Sequence, residues 1–427
     1  MKFIFSDCLD YIDPDFDFEN DEYHKGRKPY WDDQFPHEYL GYAPYDGILV
    51  SRAVVGDHKF SGKYSQSQLM RFRRVGARKF LRFDAPQFLE MPIFGDCGAF
   101  QYSKMSEPPY TPQDMIEFYG DCGFTHGLSI DHIIFDFDTK LTGMEGGTED
   151  ARRRFQITLE LADQFLKECR SCRVKFHPIG VVQGWSLGSM HEATRQLIAI
   201  GYDYIAIGGL VPLNASEIHA VLETVVDAIK GRNVKIHLLG FAKADSLSEF
   251  VKYPITSFDT TSPLIRAFKD NTKNYYELKN GHELEYYTAI RIPQAYENNI
   301  LNGKVKAGLY HQEDLKNLEI VALKKLREFD QDNASIDEVI DAVMKYSRPL
   351  MWTEKSSTQS NENKISMYRE AYKKTLIEKP WKRCSCKICR SISVETIIFR
   401  ASNRNKRRGI HNLTVYYNHL KNILQGK

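Results

Sequence analysis

Three cysteines near the carboxyl end of the chain have the spacing of a metal site. Cys384, Cys386 and Cys389 lie close together, and two histidines, His411 and His419, follow them. Three thiolates and one imidazole form the tetrahedral shell that Zn2+ prefers, and one tight turn can present all three sulfurs to one ion. Four protein ligands leave no position open for water, so we expect a structural zinc ion with either histidine as the fourth ligand.

Two aspartates at the ends of predicted strands could carry a covalent reaction at a sugar. Asp96 lies between Gly95 and Gly98, where the backbone can turn sharply, and Asp259 ends a later strand. One carboxylate can attack the sugar carbon while the other handles the proton of the leaving group. Each aspartate, taken alone, also suits a helix N-cap or a loop.

Polar and glycine residues at two further strand ends could recognise a heterocyclic base. Gln183 ends one predicted strand, and Gly208 and Gly209 follow the next one. The amide side chain offers a donor and an acceptor, and paired glycines expose backbone N–H and C=O groups, as the edge of a base requires. The glycines are equally typical of a tight strand-to-helix turn.

The elements that must position these residues alternate between strands and helices. Amphipathic segments at 151–168, 190–200, 216–230 and 246–253 have helical spacing. The rhythm predicts a (β/α)8 barrel of the TIM type, in which strand ends gather at one catalytic face, and a doubly wound open sheet is the alternative. The predicted strands are 3–5, 48–50, 92–94, 127–130, 176–182, 204–207, 236–239 and 255–258.

The chain changes character after the eighth predicted strand. Helical patterns appear at 315–329 and 336–345, and the polar stretch 356–364 is typical of a loop. We therefore divide the sequence into a catalytic barrel over 1–269, a helical addition over 270–380 and a zinc-binding basic segment over 381–427.

The composition is that of a globular protein. Of its 427 residues, 42% are hydrophobic and 27% charged, and the mean hydropathy is −0.45; these values exclude disordered, collagenous and multi-span membrane classes. Neither a secretory signal nor a membrane span is recognisable, since the start of the chain turns acidic at Asp7. We expect a cytoplasmic protein without a membrane partner, and eight cysteines are too sparse for a disulfide framework.

Positive charge is concentrated at the carboxyl end. The net charge is only +2, yet residues 371–427 contain 14 Lys and Arg against 2 Asp and Glu. Such a segment could hold the phosphates of a nucleic acid, with Arg404, Arg407 and Arg408 as candidates, or could be a solvated tail.

Taken together, the motifs resemble the tRNA-guanine transglycosylase superfamily over roughly residues 92–413, with a gap across the helical addition. Within the superfamily, the sequence most resembles the DNA-modifying branch, because of the run 404–412 and because we recognise no appended RNA-binding domain of the PUA type. Members of that bacterial and phage branch exchange guanine in DNA for a 7-deazaguanine such as 7-cyano-7-deazaguanine. The matching residues are Asp96 to Gln101, Val182 to Gly184, Ala206 to Leu210, Leu239-Gly240, Phe258-Asp259, the three cysteines and His411 to Leu413.

The resemblance implies a role for each matching residue. Asp259 is the nucleophile that attacks C1' of a flipped-out nucleotide, and Asp96 is the general acid and base. The zinc ligands are the three cysteines and His411, which selects His411 over His419. The base-binding residues are Phe100 and Leu239 for stacking, and Gln183, Gly208, Gly209 and Leu210 for the base edge.

Two positions depart from the family pattern. The carboxylate that reads the purine should lie in 134–138, where Asp136 is favoured over Asp138, and Asp131 is a weaker candidate. Ala99 stands where the family has a second glycine, so its methyl group would either narrow the pocket or fill it.

The expected substrates are DNA and a 7-deazaguanine base, with companion DNA-modification proteins as further partners. Two other functions remain open on the sequence alone. One is a tRNA-guanine transglycosylase acting on RNA, and the other is a noncatalytic nucleic-acid-binding subunit that keeps the barrel.

Overall fold

In a computed structural model, which describes residues 1–281 and 283–426, eight parallel strands close into a barrel. The first strand pairs with the eighth, with Ile4 opposite Asp259, and this pairing closes the sheet. The predicted (β/α)8 barrel is confirmed, and the open doubly wound sheet is excluded. The strands are β1 (Lys2–Ser6), β2 (Gly47–Ser51), β3 (Ile93–Asp96), β4 (His126–Leu128), β5 (His177–Val182), β6 (Tyr204–Ile207), β7 (Lys235–Leu238) and β8 (Ile255–Thr260).

Helices follow most barrel strands and dominate the rest of the chain. In chain order the α-helices are α1 (Pro36–Leu40), α2 (Arg52–Val55), α3 (Gln66–Phe80), α4 (Pro112–Asp121), α5 (Glu149–Cys172), α6 (Leu187–Ile200), α7 (Ala215–Ala228), α8 (Leu247–Phe250), α9 (Ser262–Lys269), α10 (Asn299–Lys306), α11 (Gln312–Asp330), α12 (Ile336–Met351), α13 (Thr358–Glu378), α14 (Pro380–Arg383), α15 (Lys387–Ile392) and α16 (Ser402–Leu424). Short 3-10 helices occur at Pro86–Phe88, Ala244–Ser246 and Ser393–Ile397.

Within residues 1–281 and 283–426, four short strands lie outside the barrel. β9 (Tyr275–Lys279) and β10 (Glu283–Tyr287) pair in antiparallel fashion, and β11 (Ile290–Arg291) pairs in parallel with β12 (Ile398–Phe399). The second pair joins the start of the helical addition to the segment just before α16.

The chain forms two compact units. The barrel unit comprises Met1–Asp10 and Gly41–Thr261, and the C-terminal unit comprises Tyr11–Leu40 and Ser262–Lys427. This division differs from the three segments drawn from the sequence, because residues 11–40 group with the C-terminal unit. Residues 381–427 also share one apolar core with the helical addition, which includes Leu326, Tyr346, Trp381 and Ile397.

The barrel interior changes from apolar to polar along the strands. Side chains of one strand alternate between the two faces, so the residue two positions beyond an interior residue faces the interior again. The apolar layer is formed by Ile4, Leu49, Phe94, Leu128, Ile179, Val181, Tyr204 and Ala206. Two positions further on lie Ser6, Ser51, Asp96, Gln183 and Gly208, so the polar layer opens at the carboxyl ends of the strands.

One predicted loop is a helix. Residues 356–364, whose polar composition indicated a loop, contain the start of α13, capped by the Ser357 side chain, which accepts from the N–H of Ser360. Ile365, Tyr372 and Leu376 bury the apolar face of this helix in the core of the C-terminal unit. The prediction was wrong because a helix needs only a cap and one apolar face, and the first turns of α13 are largely exposed.

Among the described residues, none of the helices is both long enough and apolar enough to span a lipid bilayer.

Candidate active site and metal cluster

A cavity of about 120 Å³ lies where the barrel strands end. Both aspartates singled out in the sequence, Asp96 and Asp259, open into it. It also brings together most of the predicted base-binding residues, although β3 and β8 are far apart in the chain. The lining residues are Leu49, Asp96, Ala99, Phe100, Asp131, Ile133, Gln183, Gly208, Gly209, Val211, Leu239, Gly240 and Asp259.

Asp259 is held by donors on both carboxylate oxygens. Ser6 Oγ donates to Oδ2 at 2.5 Å, and the N–H of Gly240 donates to Oδ1 at 3.0 Å. The Nε2 atom of His237 lies 3.3 Å from Oδ1. The side chain is fixed in direction, yet it still lines the cavity, so it is placed to react with a molecule bound there.

Asp96 has a much less favourable environment for its charge. Ser51 Oγ and the N–H of Gly98 donate to Oδ2 at 2.9 and 3.0 Å. Burial, reinforced by the negative charges of Asp131 and Asp259, nevertheless raises the pKa of Asp96 to about 7. A carboxyl group with this pKa can both give and take a proton near neutral pH.

Asp131 forms the third carboxylate of the cavity. Gln183 Nε2 donates to its Oδ2 at 2.7 Å, and the Cys97 thiol donates to its Oδ1 at 3.2 Å. Burial raises the pKa of Asp131 above its ordinary value, and it also raises the pKa of the Cys97 thiol, which therefore remains a donor.

The predicted base-reading carboxylate is not on the cavity. Asp136 and the alternative Asp138 are both exposed and absent from its lining, whereas Asp131, the weaker candidate, is 3% exposed and lines it. The sequence favoured Asp136 because of its place in the family motif. The signal that could have identified Asp131 is its position just after β4, where a barrel collects its site residues.

The glycines after β6 allow the backbone to approach Gln183 closely. A methyl group on Gly208 would lie 2.3 Å from Gln183 Nε2, and Gly209 has a φ of +73°. Leu210, predicted to contact the base, is buried and does not line the cavity, and Val211 lines it instead. Ala99 lines the cavity as well, so its methyl group narrows the space there.

Two exposed aromatic rings stand together at this site. Phe100, predicted for stacking, lines the cavity and is 53% exposed, and Phe135 is 44% exposed. Their ring centroids are 5.8 Å apart. No sequence motif indicated Phe135, because only the folded loop after β4 brings it to Phe100.

The three cysteines and His411 form one cluster in the C-terminal unit. Their four ligand atoms lie within 4.8 Å of one another, and His411 Nδ1 lies 3.6, 3.3 and 3.4 Å from the sulfurs of Cys384, Cys386 and Cys389. A tetrahedral zinc site requires about 3.5 Å between sulfur and nitrogen. The cluster can therefore hold a metal ion, and His411 rather than His419 belongs to it.

The surroundings of His411 fix the ring for metal binding. Its Nε2 donates to the carbonyl of Tyr276 at 2.8 Å, which leaves the lone pair of Nδ1 directed at the sulfurs. The Tyr275 ring stacks on the imidazole at a centroid distance of 4.1 Å. The next residue, Asn412, accepts from the N–H of Tyr276 at 3.0 Å and ties α16 to the same strand, β9.

The basic run in α16 is inside the protein. Arg404, Arg407 and Arg408 are each at most 1% exposed, which corrects their prediction as phosphate contacts. The guanidinium groups that suggested a nucleic-acid surface instead donate hydrogen bonds to the acidic segment 11–40 and to nearby groups of the C-terminal unit. Their partners are Glu395, Asp21 and Phe18 O for Arg404, Tyr39, Asp13 O and Pro14 O for Arg407, and Thr396 O, Ile398 O, Ala267 O and Asn405 for Arg408.

Comparison with known proteins agrees with the geometry. The chain is 39% identical to a DNA-guanine transglycosylase of Salmonella montevideo, over 99% of this chain and 97% of that protein. The chain belongs to the DNA-guanine transglycosylase family. No family model matches it.

More distant relatives place this transglycosylase in the tRNA-guanine transglycosylase superfamily. It is 26% identical over 222 residues to a queuine tRNA-ribosyltransferase of Shewanella sp. strain ANA-3, across 48% of this chain and 55% of that protein. A queuine tRNA-ribosyltransferase of Shewanella loihica is 24% identical over 221 residues. The protein is therefore a pentosyltransferase with guanine transglycosylase activity, which excludes a noncatalytic subunit.

The raised pKa of Asp96 predicts a pH-dependent stability difference between the transglycosylase and its Asp96→Asn variant. The folded protein favours the protonated form of the Asp96 carboxyl. The contribution of this group to the free energy of unfolding is therefore complete below the ordinary pKa of 3.8, and it is lost as the pH rises toward about 7. Relative to D96N, the wild type should lose about 1.4 kcal/mol of unfolding free energy per pH unit in this window. Urea denaturation between pH 4 and 8 measures the difference.

The exposed Asp136 provides the matched control for this experiment. The variant D136N should show no such pH-dependent difference from the wild type, because its carboxylate is in water. A D96N difference that stayed constant with pH, or grew in the opposite direction, would contradict the buried carboxyl described above.

The burial of Arg404 predicts that Arg404→Met of the transglycosylase is a folding defect. Removing the guanidinium leaves Glu395 with Arg327 alone and Asp21 with Arg400 alone, so two charged hydrogen bonds are lost and the unfolding free energy should fall by about 1.5–3 kcal/mol. Urea denaturation measures this loss. Lys373→Met, at an exposed position of α13, should change it by less than about 0.5 kcal/mol. Wild-type stability in R404M, combined with weaker nucleic-acid binding, would refute the internal role.

Proposed function

We propose that this enzyme exchanges guanine in DNA for a 7-deazaguanine base, with 7-cyano-7-deazaguanine as the incoming base. The observation that carries the proposal is the opening of Asp96 and Asp259 into the same cavity. The relative that is 39% identical over nearly the whole chain is named for guanine exchange in DNA, which favours DNA over RNA.

In this proposal Asp259 is the nucleophile. Its carboxylate attacks C1' of the target nucleotide and forms a sugar ester while the bond from C1' to guanine breaks. Ser6 and Gly240 hold the carboxylate from both sides, so little reorganisation is needed at the moment of attack. The ester retains the reactivity of the glycosidic bond, so the incoming base can displace Asp259 without an activated donor.

Asp96 moves the proton in both halves of the exchange. Its pKa of about 7 means that a substantial fraction is protonated at neutral pH and can protonate the departing guanine. The resulting carboxylate then takes a proton from the incoming base as that base attacks C1'. Over one turnover Asp96 gives one proton to the departing guanine and takes one from the incoming base, so it returns to its protonated form.

The remaining cavity residues suit a flat base with donors on its edge. Asp131 and Gln183, linked at 2.7 Å, present acceptors to the edge of a guanine, so we assign to Asp131 the role first given to Asp136. Phe100 and Leu239 supply stacking surfaces for a nucleotide that has left the duplex, and Phe135 offers a second exposed ring beside Phe100.

The metal in the C-terminal unit is zinc in this proposal. Three sulfurs and one imidazole nitrogen are the donor set of a closed structural zinc site, and they lie in a different unit from the cavity. Zinc would hold the 384–389 turn to α16, and the exchange reaction needs nothing further from the ion.

The proposed exchange predicts a modified nucleoside in DNA. Cells that produce this protein together with a supply of 7-cyano-7-deazaguanine should contain the deazaguanine nucleoside in DNA, measured by nucleoside mass spectrometry. Asp259→Ala should abolish it, because no covalent intermediate can form, whereas D136N should retain it. The nucleoside in tRNA but not in DNA would show that the enzyme acts on RNA, and retention in D259A would refute the nucleophile.

The cluster geometry predicts about one equivalent of zinc per chain. Elemental analysis of the purified protein should show it, and Cys389→Ser or His411→Ala should lose it together with thermal stability. His419→Ala is the matched control and should keep the zinc, because His419 is not part of the cluster. Loss of zinc in H419A but not in H411A would overturn the assignment of the fourth ligand.

A further inference from the structure

A buried histidine contacts Asp259 and is not explained by the roles above. His237 lies on β7, is 0% exposed, and has its Nε2 atom 3.3 Å from Asp259 Oδ1. Its ring stacks on Phe94 of β3 at a centroid distance of 5.3 Å, so packing fixes the ring plane. An imidazole inside a barrel is costly to bury unless both of its nitrogens have partners.

The second nitrogen of His237 begins a chain of hydrogen bonds inside the barrel. Nδ1 lies 2.7 Å from Ser257 Oγ, and Ser257 Oγ lies 2.6 Å from the hydroxyl of Tyr204. Ser257 is 1% exposed and Tyr204 is 2% exposed. Asp259, His237, Ser257 and Tyr204 thus form a continuous buried series across β8, β7 and β6.

With His237 neutral and Asp259 ionised, the chemistry of the groups sets the direction of every donor in this series. An ionised carboxylate can only accept, so Nε2 of His237 donates to Asp259. In the neutral ring Nδ1 is then an acceptor, and Ser257 must donate to it. Ser257 Oγ in turn accepts from Tyr204, and burial raises the pKa of this tyrosine to about 12, so its hydroxyl keeps its proton at neutral pH.

We propose that His237 is a positioning residue that holds the nucleophilic carboxylate of Asp259 in its attacking orientation, and that Ser257 and Tyr204 lock the imidazole in the Nε2–H tautomer. This inference rests on the proposed function for the role of Asp259. The aligned donors also place the positive ends of three dipoles toward Asp259.

The kinetic test compares two substitutions at position 237. His237→Leu removes the donor, and we expect kcat for base exchange to fall about tenfold to a hundredfold, with KM for DNA changed by less than about threefold. His237→Gln keeps an amide donor near Nε2 and should recover most of the rate. Equal losses in H237L and H237Q, or no loss in H237L, would overturn the positioning role.

His126 supplies a matched control from the same barrel interior. Its ring stacks on Phe94 at 4.3 Å, and its Nδ1 atom lies 2.9 Å from Thr125 Oγ1. His126→Leu disturbs the same aromatic stack and the edge contact of His126 with the Tyr204 ring, but it removes none of the hydrogen bonds from Tyr204 to Asp259, so kcat should stay within about twofold. A loss in H126L as large as that in H237L would show that interior packing, and not the donor to Asp259, is responsible.

A measurement without substrate separates this inference from the proposed function. In protein labelled with 15N-histidine, the His237 signals, assigned by their absence in H237Q, should show a neutral ring protonated at Nε2. Ser257→Ala removes the donor to Nδ1 while Asp259 still accepts from Nε2, so the ring should stay protonated at Nε2 and its Nδ1 resonance should shift toward that of an acceptor without a hydrogen bond. This variant also serves if H237L does not fold. A wild-type ring protonated at Nδ1 would overturn the inference, whereas failure to exchange bases in DNA or tRNA would overturn only the proposed function.

Discussion

The site depends on the repulsion and desolvation of three carboxyl groups that share one cavity. Asp131 and Asp259 are buried and Asp96 is half-buried, and the charges of the first two oppose ionisation of Asp96. The donors are distributed unequally: Asp259 accepts on both of its oxygens from O–H and N–H groups, while the O–H and N–H donors of Asp96 both reach Oδ2, and Asp96 is pushed toward the protonated form. Two aspartates with the same side chain can therefore perform different chemistry, because their environments differ.

Closure of the barrel creates this arrangement. Asp96 ends β3 and Asp259 lies near the end of β8, and only the ring of parallel strands brings the two to one rim. The same alternation of side chains that fills the interior with Phe94 and Ala206 also places the next interior positions, Asp96 and Gly208, at the cavity. The packing of the core and the geometry of the site are thus consequences of a single strand register.

The sequence predicted the strands and the cluster of cysteines well, because both depend on local patterns. Short apolar runs between amphipathic segments are sufficient to indicate a barrel, and closely spaced thiols indicate a metal turn. The sequence did not indicate which carboxylate of this stretch faces the cavity, since Asp131 and Asp136 are five residues apart in one loop and only the fold places Asp131 there. The prediction that Arg404 contacts phosphates failed for a related reason. A count of charges does not reveal that Arg404 has partners in residues 11–40, which are far away in the chain.

The long separation between α16 and the acidic segment 11–40 has a consequence for synthesis in the cell. The barrel unit has all of its strands once residue 260 has left the ribosome, and β1 can then pair with β8. Residues 11–40 are synthesised well before the arginines of α16 that hold them. At typical translation rates this delay is on the order of ten seconds, during which a nascent acidic loop stays undocked while the domain around its ends has already folded.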